Sequence, residues 1–414
     1  MSADLVAAHG SPLWLADAGA VRAACRAVGA AFRDAWDGPV EVAASYKTNR
    51  TTAFLRAADE EGALAEVVCE AEYLLAREVV GVPGDRVIVN GPAKPASLLG
   101  RAAEDGALVI LDDVAEIGRA AAAGVRRAGL RVAVPGALGA ASRFGIPQDE
   151  VPAAARRCRD LGLDVEVLHT HLVSTDLDAP PDTSRPLAAG VRVLWPRPPD
   201  DHVAAAAMLA RLAGRLADDG IRVRGLDLGG GIPAPPATGA HARAVCAAIR
   251  AEGFEGTLTV EPGRALFAAA VDLLMTVVAV KRMADGRRVV ICDAGTNLLP
   301  GAMWGWPSVA ASGHEGPTEP ALVSGPLCLN TDVLHPAAAL PGDVAAGDVL
   351  TARGVGAYQQ VQSTQFGDVR PAVLVRDGGP WTVARHRETV AELLGSEAAE
   401  VAASVSGSHR QEVP

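Results

Sequence analysis

Val40-Glu41-Val42-Ala43-Ala44-Ser45-Tyr46-Lys47-Thr48-Asn49 is an apolar, β-branched run that ends in polar residues. A helical pattern over 51–61 follows at once, and then a second strand-like run over 65–68. The period of the apolar residues changes between the two, which separates strand from helix. The same unit recurs along the chain. Runs at 86–90, 108–112, 130–134, 165–169, 223–228 and 258–261 read as strands. The stretches 70–80, 93–104, 114–123, 148–161, 202–219 and 241–252 read as helices. Strand–helix alternation predicts a parallel sheet. Eight such units in succession predict an α/β fold with a closed (β/α)8 TIM-type barrel, here over 22–268.

Beyond Glu261 the texture changes. Runs at 271–280, 288–293, 321–323, 349–352 and 372–375 look like strands, and no regular helices separate them. Turn residues stand between them, as in Gly325-Pro326, Pro341-Gly342 and Asp377-Gly378-Gly379. This pattern predicts an all-β domain. Residues 1–21 and 269–395 are expected to form it, with 12–17 pairing into its sheet. The tail, 396–414, is expected to be frayed. Two stretches read as irregular: 297–320, with Trp304 and Trp306, and 173–201, with six prolines including Pro180, Pro181 and Pro186. A loop as long as 173–201 is usually functional or disordered.

The bulk composition excludes several classes. Over 414 residues, 49% are hydrophobic and 21% charged, a globular balance. A net charge of -11 argues against a nucleic-acid partner and against anionic membranes. Residues 1–11 have no basic start and do not read as a signal peptide. The most apolar stretch, 271–280, contains Asp272 and is too short to span a bilayer. Cysteines 25, 69, 158, 246, 292 and 328 form no CxxC pair, which predicts reduced thiols and a cytoplasmic protein with no metal site.

In a β/α barrel the active site lies at the C-terminal ends of the strands. The first strand ends in Ser45-Tyr46-Lys47-Thr48-Asn49, and the sixth in His169-Thr170-His171, with Ser174 just beyond. The seventh ends in Asp227-Leu228-Gly229-Gly230-Gly231, the eighth in Glu261-Pro262-Gly263-Arg264. Taken singly, each has a plain reading. A lysine after a strand is a solvated side chain, and a triple glycine permits a tight bend. His-x-His could be half a zinc site, but no third ligand follows at a convincing spacing. Taken together at one rim, they describe a phosphate cradle, a lysine able to hold an aldehyde, a carboxylate and imidazoles.

These segments resemble the fold-type III pyridoxal-phosphate decarboxylases, the family of diaminopimelate and ornithine decarboxylases. The resemblance runs from about Ser11 to Arg376. It rests on Tyr46-Lys47-x-Asn49, Ser142-Arg143-Phe144-Gly145, His169-x-His171, Asp227-x-Gly229-Gly230-Gly231, Glu261-Pro262-Gly263-Arg264, Asp293-Ala294-Gly295, Gly325-Pro326-x-Cys328-x-x-x-Asp332 and Gly356-Ala357-Tyr358. It implies that Lys47 holds pyridoxal 5'-phosphate as a Schiff base and that Glu261 pairs with the pyridine nitrogen. It implies that His171 stacks on the ring, and that Ser174, Gly229, Gly230, Gly231, Arg264 and Tyr358 hold the phosphate. Cys328 is then the proton donor, supplied across a homodimer interface. Arg143, Leu329 and Asp332 are expected near the substrate.

The departures concern the substrate. The family's diamino-acid enzymes carry an acidic residue after the cysteine, where this chain has Leu329. Diaminopimelate decarboxylases also carry an arginine shortly after Asp-Ala-Gly, and 297–304 contains none. Glu66 stands where the family usually has aspartate. The expectation is therefore decarboxylation of an amino acid with a less charged, larger or carrier-linked side chain. The resemblance places such divergent members in siderophore or antibiotic biosynthesis. The alternatives are a diaminopimelate decarboxylase of lysine biosynthesis with a remodelled pocket, a racemase or epimerase, and a cofactor-binding homologue without activity. Cys328 favours decarboxylation over racemisation, and the presence of Lys47 disfavours the inactive homologue. The loop 173–201 is expected either to shape the substrate site or to be a tolerated insertion.

Overall fold

The computed structural model describes residues 1–134, 142–172, 175–177, 191–193, 199–303, 305–314 and 316–395. The chain divides into two compact units, Ala20–Phe267 and Met1–Gly19 with Ala268–Pro414. Strand β1 (Leu13–Asp17) belongs to the second. The first holds β2 (Val40–Ser45), β3 (Leu64–Val67), β4 (Val87–Val89), β5 (Leu108–Leu111), β6 (Arg127–Arg131) and β7 (Asp164–His169). A short antiparallel pair follows, β8 (Thr175–Leu177) with β9 (Val191–Val193), inside the stretch expected to be loop. Then come β10 (Gly225–Asp227) and β11 (Thr257–Val260).

Eight of these strands, all but β8 and β9, close into a parallel barrel. They pair in chain order, and β11 returns to β2 with Leu258 opposite Val40. Ala43, Ile88, Leu108 and Ile110 pack as one buried cluster. Leu108 and Ile110 are two apart on β5, so they share a face. Gly129 on β6 makes room for them, because a Cβ there would stand 2.4 Å from Ile110 Cδ1. That glycine also explains a displaced expectation. The strand read at 130–134 runs instead over Arg127–Arg131. Its first residue is charged, and the guanidinium of Arg127 pairs with Glu166 at 3.0 Å. A reading based on apolar runs starts too late when a strand opens on a paired arginine and contains a glycine.

The second unit is a mixed sheet. After β1 it contains β12 (Val271–Arg282), β13 (Arg288–Cys292), β14 (Ser308–Ala311), β15 (Thr318–Ser324) and β16 (Val333–Pro341). Next come β17 (Val349–Arg353), β18 (Ala372–Arg376) and β19 (Thr382–Arg385). The order is β16-β15-β13-β12-β1-β18-β19, with β17 pairing β12 and β14. Strand β1 is central, antiparallel to β12 and parallel to β18. Its Leu13 is fully buried with Leu274, Val349, Ala372 and Leu374. Burying a leucine side chain is worth roughly 1.5–3 kcal/mol, enough to hold an N-terminal strand in place.

In the second unit β14, β16, β19 and the helix Ser2–His9 lie outside the sequence reading. The stretch 297–320 contains β14, and β16 and β19 went unread. Strand β16 carries Pro336 and Pro341, residues that argue against a strand, but it is a sheet edge, where proline is tolerated. The helix Ser2–His9 buries no residue fully, and its Leu5 and Val6 rest against the β1 cluster. Among the described residues, no helix is long and apolar enough to cross a membrane.

Candidate active site

The rim of the barrel is built by short turns that follow the strands. After β2, Tyr46–Thr48 forms one 3-10 turn. Tyr46 and Thr48 on either side are buried, which leaves the lysine between them half-exposed at the rim. Lys47 Nζ donates to Ser45 Oγ at 2.8 Å and to Glu66 Oε2 at 2.5 Å. Glu66 lies on β3, one residue before its end, and is fully buried. Its other oxygen, Oε1, accepts from Asn90 Nδ2 at 3.1 Å. The same nitrogen donates to Glu261 Oε1 at 2.6 Å. Glu261 Oε2 faces His169 Nε2 at 3.4 Å and His171 Nδ1 at 3.8 Å.

These groups surround a cavity of about 360 Å3 whose walls include Lys47, Glu66, Asn90, Arg131, Arg143 and His171. Arg131 is held by Asp112 Oδ1 at 3.0 Å. The guanidinium carbons of Arg131 and Arg143 lie 4.5 and 3.9 Å from the ring centre of Phe144. Cation–π contact of this kind fixes the direction of both side chains.

Protonation follows from burial and neighbours. Burial alone would raise Glu261, but His169, His171 and Lys47 outweigh it and hold this carboxyl well below the usual range. Asp227 is the opposite case. Burial, reinforced by the charge of Glu261, pushes it well above the usual range. Neighbouring carboxylates in opposite states separate one fixed negative charge from one neutral acid. Burial pushes His171 down, with Glu261 opposing and Lys47 assisting the shift. The neutral ring agrees with its hydrogen bond, because Nδ1 accepts from Gly230 N at 3.0 Å.

The triple glycine also has partners of its own. Gly229 N donates to Asp227 Oδ1 at 2.9 Å, and Gly230 N to His171 Nδ1. Two of the three glycine amides thus orient the carboxyl and the imidazole. The glycines are still required. Gly229 has φ 63, and a Cβ there would stand 2.5 Å from Thr170 O. At Gly230 a Cβ would stand 2.9 Å from His171 Cε1.

The other expected residues fall elsewhere. Arg264 opens the helix Arg264–Phe267 directly after β11. Ser174 and the tail 396–414 lie outside the described residues, as does most of 173–201. Cys328, Leu329, Asp332 and Tyr358 belong to the β-rich unit. Cys328 is exposed and borders a cleft of about 470 Å3 with Asp293, Asn297, Leu327 and Phe366. Leu329 is 46% exposed. Asp332, expected near the substrate, is 2% exposed. Its Oδ1 accepts from Thr296 N at 2.6 Å and its Oδ2 from Leu327 N at 2.9 Å. Oδ2 thus closes the loop that carries Cys328, and Oδ1 ties that loop to Thr296. Tyr358 has φ 66 and is the one residue other than glycine with positive φ among the described residues. A bulky side chain in that region marks a position held by its surroundings.

Sequence reading found no third ligand beside His169 and His171. The fold supplies Glu261, whose ligand atoms lie with theirs within 4.8 Å of one another. A metal is not needed to explain the trio. The donor set fits pyridoxal phosphate: an amine on the wall for the aldehyde, an ionised buried carboxylate for the ring nitrogen, and a neutral imidazole fixed by Gly230. Asn90 and Arg131 were not singled out from sequence, since only barrel closure brings them in; Ser45 stands two residues before Lys47, at the end of β2.

Comparison with known proteins decides the family. The model for the pyridoxal-dependent decarboxylase, C-terminal sheet domain, matches residues 46–356. The chain belongs to that family. It is therefore a pyridoxal-phosphate-dependent amino-acid decarboxylase of fold type III. It is 31% identical to diaminopimelate decarboxylase of Deinococcus radiodurans over 412 residues, covering 95% of this chain and 97% of that protein. It is 32% identical to diaminopimelate decarboxylase of Actinosynnema pretiosum subsp. auranticum over 430 residues, covering 95% and 90%. Among solved structures, diaminopimelate decarboxylase of M. jannaschii in co-complex with L-lysine superimposes with a TM-score of 0.84. That likeness covers 96% of this chain and 94% of the other at 22% identity, and shows the shared fold.

Proposed function

We propose that the chain removes the α-carboxylate of diaminopimelate. The observation that carries this reading is likeness over nearly the whole chain to relatives named diaminopimelate decarboxylase. It favours amino-acid metabolism over the specialised biosynthesis expected from the departures.

Pyridoxal phosphate, when bound, supplies a sink for the electron pair left as CO2 departs. The chain's own residues do the rest. Lys47, paired with Glu66, would hold the cofactor's aldehyde. Glu261, kept ionised, would pair with its ring nitrogen, and His171, kept neutral, would pack on its ring. Gly229, Gly230, Gly231, Arg264, Tyr358 and Ser174 would hold the phosphate. Arg143 faces the substrate across the cavity. Cys328 donates the proton to the α-carbon, and Leu329 beside it contacts the distal end of the substrate.

Cys328 is exposed, as are Leu329, Phe366 and Val278 in the same unit. An apolar surface with a reactive thiol suits a second copy of the chain, so the active form is a homodimer that exchanges this loop. Mixing Lys47→Ala chains with Cys328→Ala chains should restore part of the activity that each lacks. Absence of restoration sinks the exchange.

One observation favours a second reading. Leu329 offers no partner to a distal ammonium, and residues 297–303 offer no guanidinium to a distal carboxylate. An unpaired buried charge costs about 3–5 kcal/mol, which a substrate with an uncharged distal end avoids. The deciding experiment incubates the holoenzyme with a panel of amino acids and measures CO2 and amine products by mass spectrometry. Release of L-lysine from diaminopimelate supports the first reading. CO2 from an amino acid with an apolar side chain, and none from diaminopimelate, replaces it with the second.

A further inference from the structure

Asn90 directly follows β4 and is 5% exposed. It stands between two ionisable groups that belong to different parts of the proposed chemistry. Its Nδ2 donates to Glu66 Oε1 at 3.1 Å and to Glu261 Oε1 at 2.6 Å. Glu66 uses its remaining oxygen for Lys47, and Glu261 turns its own toward the two histidines. One amide nitrogen therefore ties the cofactor lysine to the carboxylate proposed for the ring nitrogen.

The orientation of this amide follows from chemistry. An amide has an accepting oxygen and a nitrogen with two N–H groups. Between two carboxylates only the nitrogen fits, with one hydrogen for each. We infer that Asn90 is a positioning residue that donates one N–H to each carboxylate and so holds Glu66 turned toward Lys47 and Glu261 turned toward the ring-nitrogen site. The inference rests on the assignment of Lys47 and Glu261 to the cofactor.

Other charges face the pair. Lys47 follows β2, Glu66 lies on β3, Arg131 ends β6 and pairs with Asp112, and His169 ends β7 with His171 two residues beyond. Asp227 ends β10, and Glu261 follows β11. Lys47 and Arg131 favour ionised carboxylates, whereas Glu66, Glu261 and Asp227 disfavour one another. Asn90 tips that balance without adding charge.

The test reads the visible absorption of bound pyridoxal phosphate while pH is lowered from neutral. The half-loss point reports protonation of the carboxylates that hold the cofactor. Losing one hydrogen bond to a charged group shifts an equilibrium roughly ten-fold, which is about one pH unit. Asn90→Leu removes both donors at similar volume. Asn90→Asp keeps shape and polarity but offers at most one donor. Each variant should move the half-loss point upward by about one unit, while its melting temperature shows that it folds. An unmoved point in a folded variant overturns the inference. If Asn90→Leu does not fold, Asn90→Asp decides; if neither folds, Asn90 is structural and the inference fails. A wild-type holoenzyme without a visible band would instead overturn the assignment of Lys47.

Discussion

The barrel unit and the β-rich unit hold their candidate residues in opposite ways. In the barrel they are buried and linked. Glu66, Asn90 and Glu261 are 0%, 5% and 1% exposed, and each has a partner within the same unit. In the β-rich unit the candidate residues stand in the open, with Cys328 exposed and Leu329 46% exposed. The buried carboxylate nearby, Asp332, serves the backbone around the loop. The contrast is one of rigidity. Buried, mutually bonded charges are held in fixed orientation. A loop braced from behind leaves its thiol open to solvent.

The largest break in the comparison is expected from Lys47→Ala. It should abolish both the visible band of bound pyridoxal phosphate and CO2 release. A retained band would remove Lys47 from the site. Cys328→Ala should act on the other side alone. Proton transfer by a positioned side chain contributes roughly 10²–10⁴-fold. Turnover should fall by about that much while the cofactor dissociation constant stays within about two-fold of wild type; equal losses in both would tie Cys328 to cofactor binding.

Asp332→Ala tests whether the exposed loop is braced. It strands the amides of Thr296 and Leu327, at about 1–3 kcal/mol for each unsatisfied group. Thermal unfolding should shift downward and turnover should fall, with little change in the cofactor spectrum. Normal stability with lost activity would return Asp332 to the substrate.

The smallest effect concerns His241, a barrel residue that is 4% exposed. Burial lowers its pKa from 6.5 to about 4. The native state holds this ring neutral, while the unfolded state takes up a proton below 6.5. Stability present above 6.5 is therefore lost as pH falls toward 4. His241→Leu should flatten that part of the pH–stability curve by about 1–3 kcal/mol, measured by denaturant unfolding at several pH values. An identical curve would show that the ring is already solvated.

Much of this was legible in the sequence because it is local. Strand–helix periodicity, the glycine triplet and Lys47 after its strand all depend on neighbours a few residues apart. Strand β6 was displaced in the reading because Arg127 and Gly129 are explained only by Glu166 and Ile110. Strand β16 was missed because its prolines are acceptable only at an edge, and being an edge is a property of the sheet. His-x-His lacked a third partner until barrel closure brought in Glu261, which follows β11, two strands from β7.

The sequence by itself determined the order of the units, the closing count of eight, and a rim chemistry that resembles one cofactor family. Only the tertiary structure decided how that chemistry is wired. Barrel closure brings Glu66, Asn90 and Glu261 together from β3, β4 and the end of β11. Their bonds turn Lys47 from a solvated amine into half of an ion pair. The same closure directs two glycine amides to Asp227 and His171. The physical reason is reach: propensity and periodicity act over a few residues, whereas protonation and hydrogen-bond pairing depend on which buried groups stand within about 3 Å.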